Sequence, residues 1–389
     1  MSSQQHTSLR QLAEHGAAAI RALDDDRLAT AWNQALAELL DPTSPLRREI
    51  DQELLVACRL STPGLQAALE VVGRPLLGGA AASVFAAARA RAPTAAKQPA
   101  LVVLPANWPG LALQSLLPAL ARRRPVLFKC SSAEPWLTPA LLRVLARREP
   151  ALGSAYAAAV WRGGSSSLET AALDACDPVL AYGDEPALES LARRVRGRLI
   201  RFGPAFSFAL LHRAATSEEL AALARDVALG DQRGCLSVHV VLTTAEAAVT
   251  ARGLAGELAA LARGTLPPGP ADPARAAAVR LVLDDAGARG LLSCGTPAEG
   301  LVLVEEGSVA PSPGQRLVRV LPVPSLSHAI ETLRPWRGQL QGAAVLTGHP
   351  AWLPQALTSL GVSRIAPPGE LQYADAFWHN GGIDLLECF

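Results

Sequence analysis

Apolar and polar positions follow two rhythms along this chain, and the change between them divides it. Up to about residue 75 the period is helical. Leu9, Leu12, Ala13 and Ile20 share one stripe, and Leu28, Trp32, Ala35, Leu36 and Leu39 recur at the i, i+4, i+7 spacing of another. Pro42 and Pro45 end that run. Residues 76–98, rich in alanine and glycine, read as a connection. Beyond them short apolar runs stand between turns: Ala100–Leu104, Pro125–Lys129, Ala158–Arg162, Val179–Tyr182 and Leu199–Phe202. Helical segments separate them at Leu111–Arg123, Thr138–Arg148, Ser167–Ala175 and Glu185–Val195. Strands alternating with helices imply βαβ units and a mostly parallel sheet, with ligands beyond the carboxyl ends of its strands.

A second unit begins near residue 213. Thr216-Ser-Glu-Glu219 matches a capping box and opens a helix over 217–229. Gly230 suits the left-handed turn that closes it. A polar loop follows, then a β-branched strand over Val238–Thr243 and a helix over 244–263. GTLPPGPADP at 264–273 reads as a surface loop, strands are expected at 279–283, 301–304 and 317–323, and a last helix near 350–360. The closing PPGELQYADAFWHNGGIDLL is loop-like.

Composition narrows the class. With 389 residues the chain exceeds one ordinary core, and half its residues are apolar. The 36 basic and 35 acidic side chains nearly cancel, which gives no electrostatic reason to expect nucleic acid or an anionic membrane as partner. Cysteines at 58, 130, 176, 235, 294 and 388 are scattered without CxxC pairs, as in a reduced, cytoplasmic protein without a disulfide framework. The first residues lack the apolar stretch of a signal peptide. Leu101–Ala121 carries no charge, but its Pro105, Asn107, Pro109, Gly110, Gln114 and Pro118 suit a strand, loop and helix better than a membrane span.

The candidate chemistry gathers on loops. Cys235 falls in GDQRGCLS, between a helix and a strand, where catalytic residues tend to sit. Arg233, two residues away, would favour its thiolate. Taken alone, the loop leaves open whether Cys235 is a nucleophile or a thiol packed beside the strand. Asn107 follows the first parallel strand in LPANWPG, where its carboxamide either donates to an oxyanion or shapes an Asx turn. Lys129 is one of two lysines, with Lys97, in a chain that otherwise uses arginine, and it ends a strand. There an ammonium contacts a ribose or phosphate, or is simply solvated. GGSSS at 163–167 is a weak phosphate-turn candidate. The seven histidines show no metal-ligand spacing, so no metal site is expected; His379, in WHNGG, is the better placed of them to meet a substrate.

Together these pieces resemble the acyl-CoA reductase (LuxC-like) branch of the aldehyde dehydrogenase superfamily. The resemblance is carried by LPANWPG, VLFKCSSAEP, YGDE around Gly183, RFGPAFSFALL, GDQRGCLS and the closing RIAPPGELQ…FWHNGG, in that order over roughly 100–382. It implies an α/β, aldehyde-dehydrogenase-like fold: a Rossmann-type parallel-sheet cofactor domain and a second α/β catalytic domain. The corresponding boundaries are 1–212 for the helical lead-in and nucleotide-binding domain, 213–365 for the domain with the cysteine, and 366–389 for a segment closing the cleft. By this likeness Cys235 is the nucleophile and Asn107 an oxyanion donor together with the Cys235 N–H. Lys129, Ser131 and Gly183 meet the cofactor, NADPH or alternatively NADH. Substrate contacts fall to Arg233 and His379. The implied reaction reduces an acyl-CoA or acyl carrier protein thioester, with a fatty acyl group expected, to the aldehyde through an acyl-cysteine. Homo-oligomers and an acyl-transferring synthetase partner are the expected associations.

The departures matter as much. Where aldehyde-oxidising members carry the glutamate that activates a deacylating water, this chain has Arg201, and no carboxylate lies within 198–215. A glutamate for the nicotinamide ribose has no counterpart near QRLVRVLPV, and Ala205 stands where reductase relatives often have lysine. Two alternatives share these features: a CoA-acylating aldehyde dehydrogenase acting on short aldehydes, and a catalytically degenerate scaffold subunit.

Overall fold

The computed structural model describes residues 15–91, 98–164 and 166–389. The expected stripe at Leu9, Leu12 and Ala13, Lys97, and Ser165 of the glycine-serine turn lie outside the described residues. Four capped or glycine-started helices form the lead-in: α1 (Asp25–Leu40), α2 (Pro45–Cys58), α3 (Thr62–Gly73) and α4 (Gly79–Arg89). The stripe of α1 is buried in full, with Leu28, Trp32, Ala35, Leu36 and Leu39 inside. Trp32 brings its indole N–H to the Leu76 carbonyl at 2.9 Å, so its one polar atom is satisfied on burial.

The first sheet is parallel throughout, in the order β3-β2-β1-β4-β5. Its strands are β1 (Ala100–Val103), β2 (Val126–Cys130), β3 (Tyr156–Val160), β4 (Val179–Tyr182) and β5 (Leu199–Phe202). Crossover helices link them: α5 (Ala112–Ala121), α6 (Leu137–Arg148), α7 (Ser167–Ala175) and α8 (Glu185–Ala192). Alternate residues of β1 serve opposite faces. Val102 joins the large core under the lead-in helices, and Leu101 joins a smaller one with Leu173, Val179 and Leu188. The uncharged stretch 101–121 is thus strand, loop and helix, and no single helix among the described residues is long and apolar enough to cross a membrane.

The second sheet runs β12-β11-β6-β7-β10-β9-β8. It comprises β6 (Phe206–Leu211), β7 (Val238–Thr243), β8 (Ser293–Thr296), β9 (Gly300–Val304), β10 (Leu317–Pro322), β11 (Leu340–Val345) and β12 (Arg364–Ala366). Only the β8–β9 pair is antiparallel. All six residues of β6 are buried, as a central parallel strand requires. Because β6 already pairs with β7 and β11, the chain changes sheets between Phe202 and Phe206, a little ahead of residue 212.

One expected element is of the wrong kind. Residues 279–283 are not a strand; they lie in helix α11 (Pro273–Ala288). Pro273 occupies its first turn, and Asp272 accepts the amides of Ala274 and Arg275, each at 3.1 Å. A good helix start and alanine-rich flanks override the apolar run VRLVL, of which only Val279 is fully buried. The helix expected at 217–229 is α9 (Ser217–Ala228), with both bonds of the Thr216–Glu219 capping box formed. The next, α10, spans Ala247–Arg263.

Candidate active site

Helix α9 runs into a tight turn whose Gly230, Asp231 and Gln232 all have left-handed φ, +59°, +50° and +58°. Glycine takes that conformation freely; the other two are held in it by their side chains. Asp231 accepts from Arg316 Nε at 2.7 Å and from the Gly269 amide at 2.9 Å. Gln232 Nε2 donates to the carbonyls of Val238 and Leu317 at 2.7 and 2.8 Å. The loop that follows carries Cys235 and enters β7.

Trp108 is the buttress of this loop. A Cβ on Gly230 would stand 2.2 Å from its indole, and one on Gly234 2.9 Å. Both glycines are therefore required by close approach, and the indole locks the loop against the segment after β1. The residue before it, Asn107, is exposed and donates Nδ2–H to the Arg233 carbonyl at 2.9 Å. From the other side the buried Ser207 on β6 donates its hydroxyl to the Cys235 carbonyl at 2.8 Å. Sequence reasoning passed over Trp108, Ser207, Asp231 and Gln232. The glycine spacing around Cys235 was the signal for Trp108; nothing local marks Ser207, which pairs through the second sheet.

Cys235 is half-buried, and that burial pushes its thiol up to about 11, opposed by the amides of Cys235 itself and Leu236. Those two amides thus bear on the sulfur, where an oxyanion formed by attack on a carbonyl would need donors. The expected activation by Arg233 is not what the loop shows. The charge of Arg233 bears on Cys58, Asp231, Asp272 and Arg275 instead, and its own pKa is lowered, chiefly by burial. Arg201 pairs with Glu185 at the start of α8, so the residue standing in place of a base is a neutralised cation on β5.

Lys129 lies in β2, one residue before its end, half-buried and in register with Val103. Ser131 accepts the Ala133 amide at 3.2 Å, which engages its hydroxyl in the turn after β2. Gly183 follows β4 and donates its amide to Phe202 at 3.2 Å; a Cβ there would meet only Ala187, at 3.5 Å, so its other flank is open. The strand order changes direction between β1 and β4; around that point Asn107 and Gly183 lie beyond carboxyl ends, and Lys129 lies just before the end of β2. An ammonium near the end of β2 and an open glycine backbone after β4 suit the hydroxyls and phosphates of a nicotinamide nucleotide.

A small cleft, partly open to solvent, lies between α3, α5 and the closing segment. Its walls are mainly apolar, with Val72, Leu76, Leu117, Phe377 and Leu385 among them. Cys235 is not on its wall. The polar wall residues Gln114 and Asn380 face each other at 3.5 Å, and Asn380 also accepts from Gln341 at 2.9 Å. Asn380 borders the buried phenol of Tyr182, which burial holds above its ordinary value and which lies within electrostatic range of Cys235. His379 lines the cleft too, but it is half-exposed and its Nε2 sits 3.7 Å from Asp384. From WHNGG it is Asn380, not His379, that turns inward. Among the described residues no three His, Cys, Asp or Glu side chains converge as metal ligands.

A cysteine loop on one sheet, carboxamide-bonded to a loop on a parallel nucleotide-type sheet, defines an aldehyde-dehydrogenase-like oxidoreductase architecture. Solved structures with this fold agree. An oxidoreductase from Marinobacter aquaeolei superposes with a TM-score of 0.74 at 15% identity, over 98% of this chain and 86% of that one. The glyceraldehyde-3-phosphate dehydrogenase GapN from Methanocaldococcus jannaschii, complexed with NADP, gives 0.73 at 12% identity, over 99% and 90%. A NAD-dependent benzaldehyde dehydrogenase from Corynebacterium glutamicum gives 0.70 at 16%, over 94% and 86%. Among curated proteins, none matches the sequence. The family model for acyl-CoA reductase (LuxC) matches residues 91–389, and the chain belongs to that family. Membership supports an oxidoreductase acting between the acyl-CoA and aldehyde levels.

Proposed function

We propose that the protein reduces an acyl thioester to the aldehyde, with Cys235 as nucleophile and NADPH as the preferred reductant. The observation that carries this reading is that the Cys235 thiol lies with the amides of Cys235 and Leu236 on one loop to which the Asn107 carboxamide is bonded, with no carboxylate acting on the thiol among the described residues. Cys235 Sγ, losing its proton, bonds to the thioester carbonyl carbon. Asn107, freed from the Arg233 carbonyl, and the loop amides stabilise the oxyanion. The C–S bond to the donor thiol breaks, and that thiolate takes up a proton, leaving acyl-Cys235. Lys129 and Gly183 hold the nucleotide; when bound, it supplies the hydride that brings the acyl carbon to the aldehyde level. The carbon–Sγ bond then breaks, and Cys235 recovers its proton. Reduction needs no deacylating base, which fits Arg201 standing paired to Glu185.

The acyl group is fatty in this reading, segment 366–389 closes the cleft, and the cofactor domain gives way to the catalytic domain where the chain changes sheets, between Phe202 and Phe206. A cytoplasmic homo-oligomer, fed by acyl-CoA, acyl carrier protein or an acyl-transferring synthetase, is the corresponding cellular setting. The test is intact-protein mass after addition of tetradecanoyl-CoA and then NADPH. The reading expects an acyl adduct on Cys235 that disappears with NADPH and releases aldehyde. Cys235→Ala should form no adduct, and Asn107→Ala should slow its formation by about 10²–10³. An adduct that NADPH leaves untouched would sink the hydride step.

A further inference from the structure

Two arginines beside the Cys235 loop, Arg233 and Arg275, make no ion pair among the described residues. Arg233 is half-buried, and its Nε is sealed from solvent with no hydrogen-bond partner. Arg275, on the first turn of α11, has neither an ion pair nor a side-chain hydrogen bond among the described residues. The two guanidinium groups oppose each other electrostatically. Their proximity has a structural marker in Gly314 (φ +90°). A Cβ there would lie 2.8 Å from Arg275 Nη1 and 3.6 Å from the carbonyl of Gln232, the residue before Arg233.

The neighbouring charges are spoken for. Asp231 is bonded to Arg316 at 2.7 Å. Asp272 caps α11 and lies 3.8 Å from Arg59. Cys58 and His239 are neutral near pH 7, since burial pushes the thiol up to about 12 and the imidazole, beside Arg275, down to about 4. What remains is a pair of like charges held in a partly dehydrated place, which costs energy unless an anion joins them.

We infer that Arg233 and Arg275 form a phosphate-binding site for the pantetheine arm of the thioester donor. This inference rests on the reading of Cys235 as the acylated residue. Arg233 lies two residues from Cys235, and its carbonyl is the one Asn107 holds, so an anion bound by its side chain belongs to a molecule reaching the nucleophile. Guanidinium pairs match phosphate oxygens in a fork geometry, and both CoA and carrier-borne phosphopantetheine carry phosphate on the arm behind the thioester. Neither arginine lines the cleft beside the closing segment. The sequence placed Arg233 near the thiolate; its charge instead serves the other end of the donor.

The experiment compares acylation of Cys235 by acyl-pantetheine, acyl-4′-phosphopantetheine and acyl-CoA in wild type, Arg275→Gln and Arg275→Lys. The advantage of a phosphorylated donor over acyl-pantetheine, as a ratio of kcat/KM, should fall roughly tenfold in Arg275→Gln and by less in Arg275→Lys, which keeps the charge but not the fork. A loss for both phosphorylated donors assigns the site to the 4′-phosphate and admits a carrier protein; a loss for acyl-CoA alone assigns it to CoA's further phosphates. An unchanged ratio, or a change confined to the KM for NADPH, overturns the inference. Absence of any adduct in the wild type overturns the Cys235 reading itself.

Discussion

The resting state of Cys235 is open to direct titration. Burial pushes its thiol up to about 11, and no cation offsets this. From that value about one molecule in 10⁴ carries the thiolate at pH 7, against about one in 10² for a thiol at its ordinary 9.0. The free enzyme should therefore react slowly with iodoacetamide, and its rate should climb about tenfold per pH unit from neutrality to about pH 10 without levelling. Peptide mapping after alkylation separates Cys235 from the other five cysteines, of which only Cys294 is likewise half-buried. A plateau below about pH 8 would refute the argument, because it would mean a cation reaches the sulfur. Arg233→Gln sharpens the test. If Arg233 acted on the thiolate, this change would displace the profile upward; the structure expects the profile to stay in place.

Other consequences concern the scaffold. Gly230→Ala places a methyl against Trp108 at a left-handed φ and should destabilise the protein by roughly 2 kcal/mol or more in urea unfolding, while loosening the Cys235 loop to alkylation. Ser207→Ala removes the bond to the Cys235 carbonyl; a loss of about 1 kcal/mol in unfolding is expected, with slower acylation by acyl-CoA. Asp226 is fully buried, accepts the Gly369 amide at 2.7 Å, and is raised by burial to about 7. Its folded value lies above the unfolded one, so its contribution is complete below about pH 4 and lost as pH rises through about 7. Thermal unfolding from pH 5 to 8 should show that decline in the wild type and less of it in Asp226→Asn.

Much of this architecture was legible in the chain, and the exceptions have physical causes. The five strands of the first sheet and the capped helix after Thr216 announce themselves locally, through short apolar runs between turns and a hydrogen-bonding cap. Phe206–Leu211 went unread as a strand because a fully buried parallel strand has no alternation to show. VRLVL misled for the converse reason: its apolar residues look like a strand, while the decisive cap at Asp272 lies before them. Cys235, Asn107 and Gly183 are legible on loops and Lys129 near a strand end, yet the direction of a side chain is a tertiary fact. Arg233 faces Arg275, and Asn380 turns inward where His379 does not.

The seat of Trp108 between two glycines has a wider bearing. It ties the segment after β1, which carries Asn107, to the Cys235 loop, although they belong to different sheets. The Asn107 side chain can leave the Arg233 carbonyl for a substrate without disturbing that backbone joint. Selectivity is thus free to drift along the cleft wall at Phe377 and Leu385 while the reacting groups keep their places. Variation among such reductases should concentrate there, leaving the indole and its glycines as the fixed hardware of the chemistry.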